Sequence, residues 1–79
     1  MTYTKQERAA ICRSYYLAIA AKSGLMGDSL RERIRECNRR LYVSLGHSAE
    51  IRQRDMTTAD LDKLTAARQA SIELMQVQN

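Results

Sequence analysis

Leu30, Ile34, Cys37, Leu41 and Leu45 recur at spacings of four, three, four and four, and most residues between them are polar or charged. That is the period of a helix with one apolar stripe. Ser29 followed by Glu32 reads as a capping box that opens this helix, with Asp28 adding negative charge at its positive end. Gly46 stands where a left-handed residue closes it, so the pattern predicts a helix over about residues 29–45.

The stretch before it follows the same grammar. Thr4 and Glu7 form another capping box and Gly24 another stop, which predicts a first helix over about residues 4–23. Ile11, Tyr15, Ala18 and Lys22 share one line, with Cys12 and Ile19 beside it. Ala10, Leu17 and Ala21 fall on the other side. An apolar surface this broad belongs to a helix that sits between two neighbours or lends a face to another chain. A symmetric homodimer through Ala10, Leu17 and Ala21 is the usual remedy for such a face.

Residues 47–56 carry few apolar anchors. Ser48 is placed to cap a short helical turn near residues 48–54, with Ile51 as its anchor. Thr57 then caps a third helix, with Asp60 as acidic partner and Met56 with Leu61 as a hydrophobic staple. This helix runs over about residues 58–77 through Leu64, Ala67, Ser71, Ile72, Leu74 and Met75. Three helices with short links predict a small antiparallel three-helix bundle, one all-α domain over residues 1–79.

Composition narrows the class. A chain of 79 residues buries about 60% of its unfolded surface, enough for one core and not for a cleft between two domains. Proline is absent and glycine occurs three times, so the hairpin turns of a β-sandwich or barrel are missing. No uncharged run approaches the roughly 20 residues that span a bilayer, so no membrane role is expected. The start lacks the basic-then-apolar order of a signal peptide, and a cytoplasmic location is expected.

Candidate chemistry is sparse. Cys12 and Cys37 have no Cys or His companion at ligand spacing, so they are expected to be reduced, small, buried hydrophobes rather than zinc ligands. His47, the single histidine, follows the glycine stop and reads as an exposed imidazole. Asp60 and Asp62 fit first-turn acids that complement the helix dipole. No glycine-rich phosphate cradle and no nucleophile with a partner base can be found. The sequence therefore predicts no enzyme, no catalytic residue, no metal and no cofactor.

Charge points to binding instead. The net charge is +4, carried by the first half: four basic residues against one acidic in 1–27, five against three in 28–46, and four against five beyond. On the second helix, with Leu30 at zero, Arg31, Arg35 and Arg39 fall at about 100°, 140° and 180°, with Asn38 and Tyr42 near 80° and 120°. Pairs of Glu36 with Arg40 and Glu32 with Arg35 would make this an ordinary solvated face. An arginine row beside a tyrosine also suits carboxylates or phosphates. The sequence thus leads to a small non-catalytic regulatory or inhibitory protein, of the kind phages and mobile elements carry. It would bind the acidic surface of another protein through Arg31, Arg35, Arg39, Asn38 and Tyr42. The alternative is DNA, since residues 16–35 can be laid over a helix-turn-helix pattern with the second helix as the reader. Ser23, Arg33 and the long first helix depart from that pattern.

Overall fold

The computed structural model describes residues 2–48 and 52–77. It is a three-helix bundle: α1 (Lys5–Ser23), α2 (Gly27–Ser44) and α3 (Thr58–Val77), with a 3-10 turn, Gln53–Asp55, ahead of α3. No strand occurs among the described residues.

The ends of α1 and α3 are held by side chains. The Glu7 amide donates to Thr4 Oγ1 at 3.0 Å while the Thr4 amide donates to Glu7 Oε1 at 2.8 Å. At α3 the Asp60 amide donates to Thr57 Oγ1 at 3.1 Å, and the Thr57 amide to Asp60 Oδ2 at 3.4 Å. Each box satisfies two amides that the helix itself leaves unpaired. Gly24 ends α1 at φ 69° with its amide on the Ala20 carbonyl, a conformation costly to any residue with a Cβ.

α2 begins two residues ahead of the expected Ser29. Its cap is Met26, in extended conformation and without a side-chain hydrogen bond, and the box of Ser29 with Glu32 does not form. Gly27 at φ 59° turns the chain into the helix, so Ser29 already lies inside the first turn, past the capping position. At the other end the His47 amide bonds the Tyr42 carbonyl at 2.9 Å and the Gly46 amide bonds the Val43 carbonyl at 3.0 Å. That pair is a Schellman motif, with Gly46 in the left-handed position at φ 84°. Of the turn expected near 48–54, the described residues show the 3-10 turn Gln53–Asp55. Its expected anchor, Ile51, lies outside the described residues.

Contacts fix the helix directions. The Tyr3 amide bonds Asp62 Oδ1 at 3.2 Å, Arg8 lies 3.9 Å from the same oxygen, and Arg68 sits over the Tyr15 ring. Tyr15 and Ile19 then share a buried cluster with Ile72. Positions rise together along both helices, so α1 and α3 run parallel. α2 runs against both: Asn38 bonds Tyr16 and Arg68, while His47 reaches back to Asp60. The bond from Asn38 to Tyr16 also describes the first connection. These residues lie about 12 and 16 Å along their helices from the turn; axes crossed near 100° would leave them about 20 Å apart. The pair is therefore an antiparallel αα-hairpin, and α1 is one continuous helix of 19 residues.

Tyr15, Ile19, Met56, Leu64 and Ile72 are buried, together with Thr65 and Arg68. α2 contributes no buried residue. Its stripe residues Leu30, Ile34, Cys37 and Leu41 lie half-buried against the cluster.

Candidate functional site

The arginine row of α2 faces outward. Arg31, Arg35 and Arg39 are all exposed. Arg31 pairs with Asp28 at 3.0 Å, and Glu36 takes Arg39 and also Arg40, the latter at 3.1 Å. The hydrogen bond from Arg39, then the bond from Arg40, hold the Glu36 carboxyl below its ordinary value. The pair of Glu32 with Arg35 does not form, and Arg35 makes no ion pair among the described residues. One turn beyond Arg39, Val43 is 55% exposed and puts an apolar contact on the same line.

Asn38 and Tyr42 are placed differently. Asn38 is half-buried, donates to the Tyr16 hydroxyl at 3.1 Å and accepts from Arg68 Nη2 at 3.2 Å. It belongs to the interior because α2 meets both α1 and α3, so the covered arc is wider than the Leu30 stripe alone. Tyr42 is half-buried and its hydroxyl accepts from Gln53 Nε2 at 3.2 Å, tying the 3-10 turn to α2. On α1, Ala10, Leu17 and Ala21 are all exposed, Leu17 at 65%.

Two smaller expectations are corrected. The cysteines are free but half-buried rather than buried. Each lies beside a tyrosine hydroxyl, Cys12 by Tyr16 and Cys37 by Tyr15. Burial, with the Cys37 thiol adding to it, pushes the Tyr15 hydroxyl up to about 12 against the pull of Arg68. His47 is half-buried, not exposed, with Nε2 3.5 Å from Asp60 Oδ1. The Schellman turn folds the chain back over the start of α3 and carries the imidazole there. Asp60 sits below its ordinary value, chiefly through the Thr57 hydroxyl and then the Thr57 amide.

The fold also forms a cleft that no sequence pattern announced. A cavity of about 520 Å³ opens beside α1 and α3 with the 3-10 turn at its edge. Lys5, Arg8, Arg13, Arg54 and Arg68 line it, and among the described residues no Asp or Glu does. Ala9, Cys12, Tyr16 and Leu61 supply its uncharged wall. Arg68 is only 3% exposed, its guanidinium carbon lies 5.9 Å from the Tyr15 ring centroid, and its buried Nε has no acceptor among the described residues. A local sign of this existed: Leu64, Arg68 and Ile72 follow one another at four-residue spacing, so a cation stands on the apolar stripe of α3.

Among the described residues no group of three His, Cys, Asp or Glu is arranged to hold a metal ion. None of the described helices is long and apolar enough to cross a membrane. Fold and surface define a small all-α three-helix bundle with a cationic helix face and a cationic cleft. No family model matches the chain, and no curated protein or solved structure does either.

Proposed function

We propose that the protein is a non-catalytic regulatory or inhibitory module that binds an acidic protein surface through the outer face of α2. The observation that carries this reading is the exposed line Arg31, Arg35, Arg39 and Val43. Exposed ion pairs add little to the stability of a fold, so Arg31 and Arg39 can exchange theirs for a partner's carboxylates, and Arg35 forms none among the described residues. Guanidinium groups take carboxylates in two-point contacts, as Arg39 does with Glu36, while Arg31 makes a single bond to Asp28. A valine in the row suits a protein surface better than a phosphate backbone. Ala10, Leu17 and Ala21 offer a separate apolar face, for the same partner or for a second copy of the chain. The two free thiols suit a reducing compartment such as the cytoplasm.

The test is capture of partners from a native lysate with and without nuclease. The wild type is compared with the triple variant Arg31→Gln, Arg35→Gln, Arg39→Gln. The expected result is an acidic protein retained after nuclease, released by salt and lost with the variant. Nuclease-sensitive capture, with duplex affinity falling by a log–log salt slope of about −0.9 per phosphate, would replace this reading by DNA binding.

A further inference from the structure

Arg68 is a buried cation without an anion. Its one hydrogen bond among the described residues goes from Nη2 to Asn38 Oδ1 at 3.2 Å, although a guanidinium carries five N–H donors. No carboxylate lies within ion-pair distance of it among the described residues, and its Nε is enclosed with nothing to donate to. Buried charges in proteins are ordinarily paired, because desolvation without a counter-ion is costly. The Tyr15 ring compensates only in part.

The cleft that Arg68 lines supplies the rest of the setting. Arg8 is engaged, donating to the Tyr3 carbonyl at 2.9 Å with Asp62 nearby. Lys5 and Arg13 are exposed and form no ion pair among the described residues. Among the described residues Arg54 has only Asp55, at 3.9 Å. Unneutralised cations thus converge on a concave wall made by Ala9, Cys12, Tyr16 and Leu61. The cavity, about 520 Å³, has the size of sites that take small organic molecules.

We propose that this cleft binds a small organic anion, a phosphate ester or carboxylate on an apolar body, with Arg68 as the fixed cation. Lys5 and Arg13 flank the charged group, and the apolar wall takes the body. This site is separate from the arginine row of α2 and does not depend on it.

Three probes test it by calorimetric titration and by the Arg68 Nε–Hε resonance: sodium decanoate, adenosine monophosphate and inorganic phosphate. Saturable binding of decanoate or of adenosine monophosphate is expected, with the Arg68 signal shifted, and whichever binds assigns carboxylate or phosphate ester. Inorganic phosphate, lacking the body, should bind at least about tenfold more weakly. Lys5→Gln with Arg13→Gln should weaken the organic probe by about tenfold or more. Arg68→Met should abolish binding. The double variant alters only exposed side chains and carries the test alone should Arg68→Met fail to fold. The triple Gln variant of α2 should bind as the wild type does. No binding of either organic probe at millimolar concentration would overturn the proposal. So would phosphate binding as tightly as the organic anions, or affinity unchanged by the Lys5 and Arg13 substitutions.

Discussion

α2 has the cleanest amphipathic pattern in the chain, yet none of its residues is buried. α1 and α3 have blurred patterns, with apolar residues on several sides, and they supply Tyr15, Ile19, Leu64 and Ile72 to the core. The contrast has a physical origin. A sharp stripe measures how much two faces of a helix differ, not how deeply either is covered. α1 and α3 lie parallel and pack on each other, so their interfacing sides lose most contact with water. α2 rests across that pair with its stripe half-covered and its arginines outside. The helix with the clearest stripe in the sequence is thus the one whose residues are least covered.

The largest expected effect tests this ordering. Leu64, fully buried on α3, should cost about 3 kcal/mol on truncation to alanine, within the 2–5 kcal/mol range for core leucines. Ile34→Ala on α2 should cost about half of that, because less surface is covered there. Urea unfolding of both variants checks the ratio, and equal losses would break the comparison.

Asn38 sharpens it from the other side, as the residue of α2 that reaches both partners. Asn38→Ala removes the hydrogen bond that Arg68 Nη2 donates and should cost about 2 kcal/mol. Arg35→Gln and Arg39→Gln should each stay within about 0.5 kcal/mol of the wild type. Chemical denaturation distinguishes an inward Asn38 from one on the solvent face, which would behave like its arginine neighbours.

A further effect appears only at high pH. Burial raises the Tyr15 hydroxyl to about 12, against about 10 in an unfolded chain. Below pH 10 the tyrosine is protonated in both states and its contribution is complete. Between 10 and 12 the unfolded chain ionises first, so stability falls as pH rises through that window. Tyr15→Phe should flatten this part of the alkaline limb, measured by unfolding at stepped pH.

What the sequence disclosed depended on how local each feature is. The starts of α1 and α3 were legible because Thr4 with Glu7 and Thr57 with Asp60 bond across three residues of continuous chain. The start of α2 was not, since it rests on the backbone of Met26 and Gly27 with no side-chain cap. The outward course of Arg31, Arg35 and Arg39 followed from helix angle alone. Asn38, about 20° from Arg31 on the same wheel, went inward because two neighbours widen the covered arc. The cleft draws Lys5 and Arg13 from α1, Arg54 from the 3-10 turn and Arg68 from α3. No window of sequence brings those cations together, and only the charge on the α3 stripe hinted at it.

The α1–α3 pair supplies the buried core, and α2 is half-seated upon it. Residue-resolved amide hydrogen exchange tests this most directly, because it reads the free energy at which each segment opens. The amides of Tyr15, Ile19, Leu64 and Ile72 should exchange only through global unfolding. Those of residues 34–41 in α2 should exchange through a separate opening at distinctly lower free energy. Protection of α2 equal to that of α1 and α3 would contradict the account.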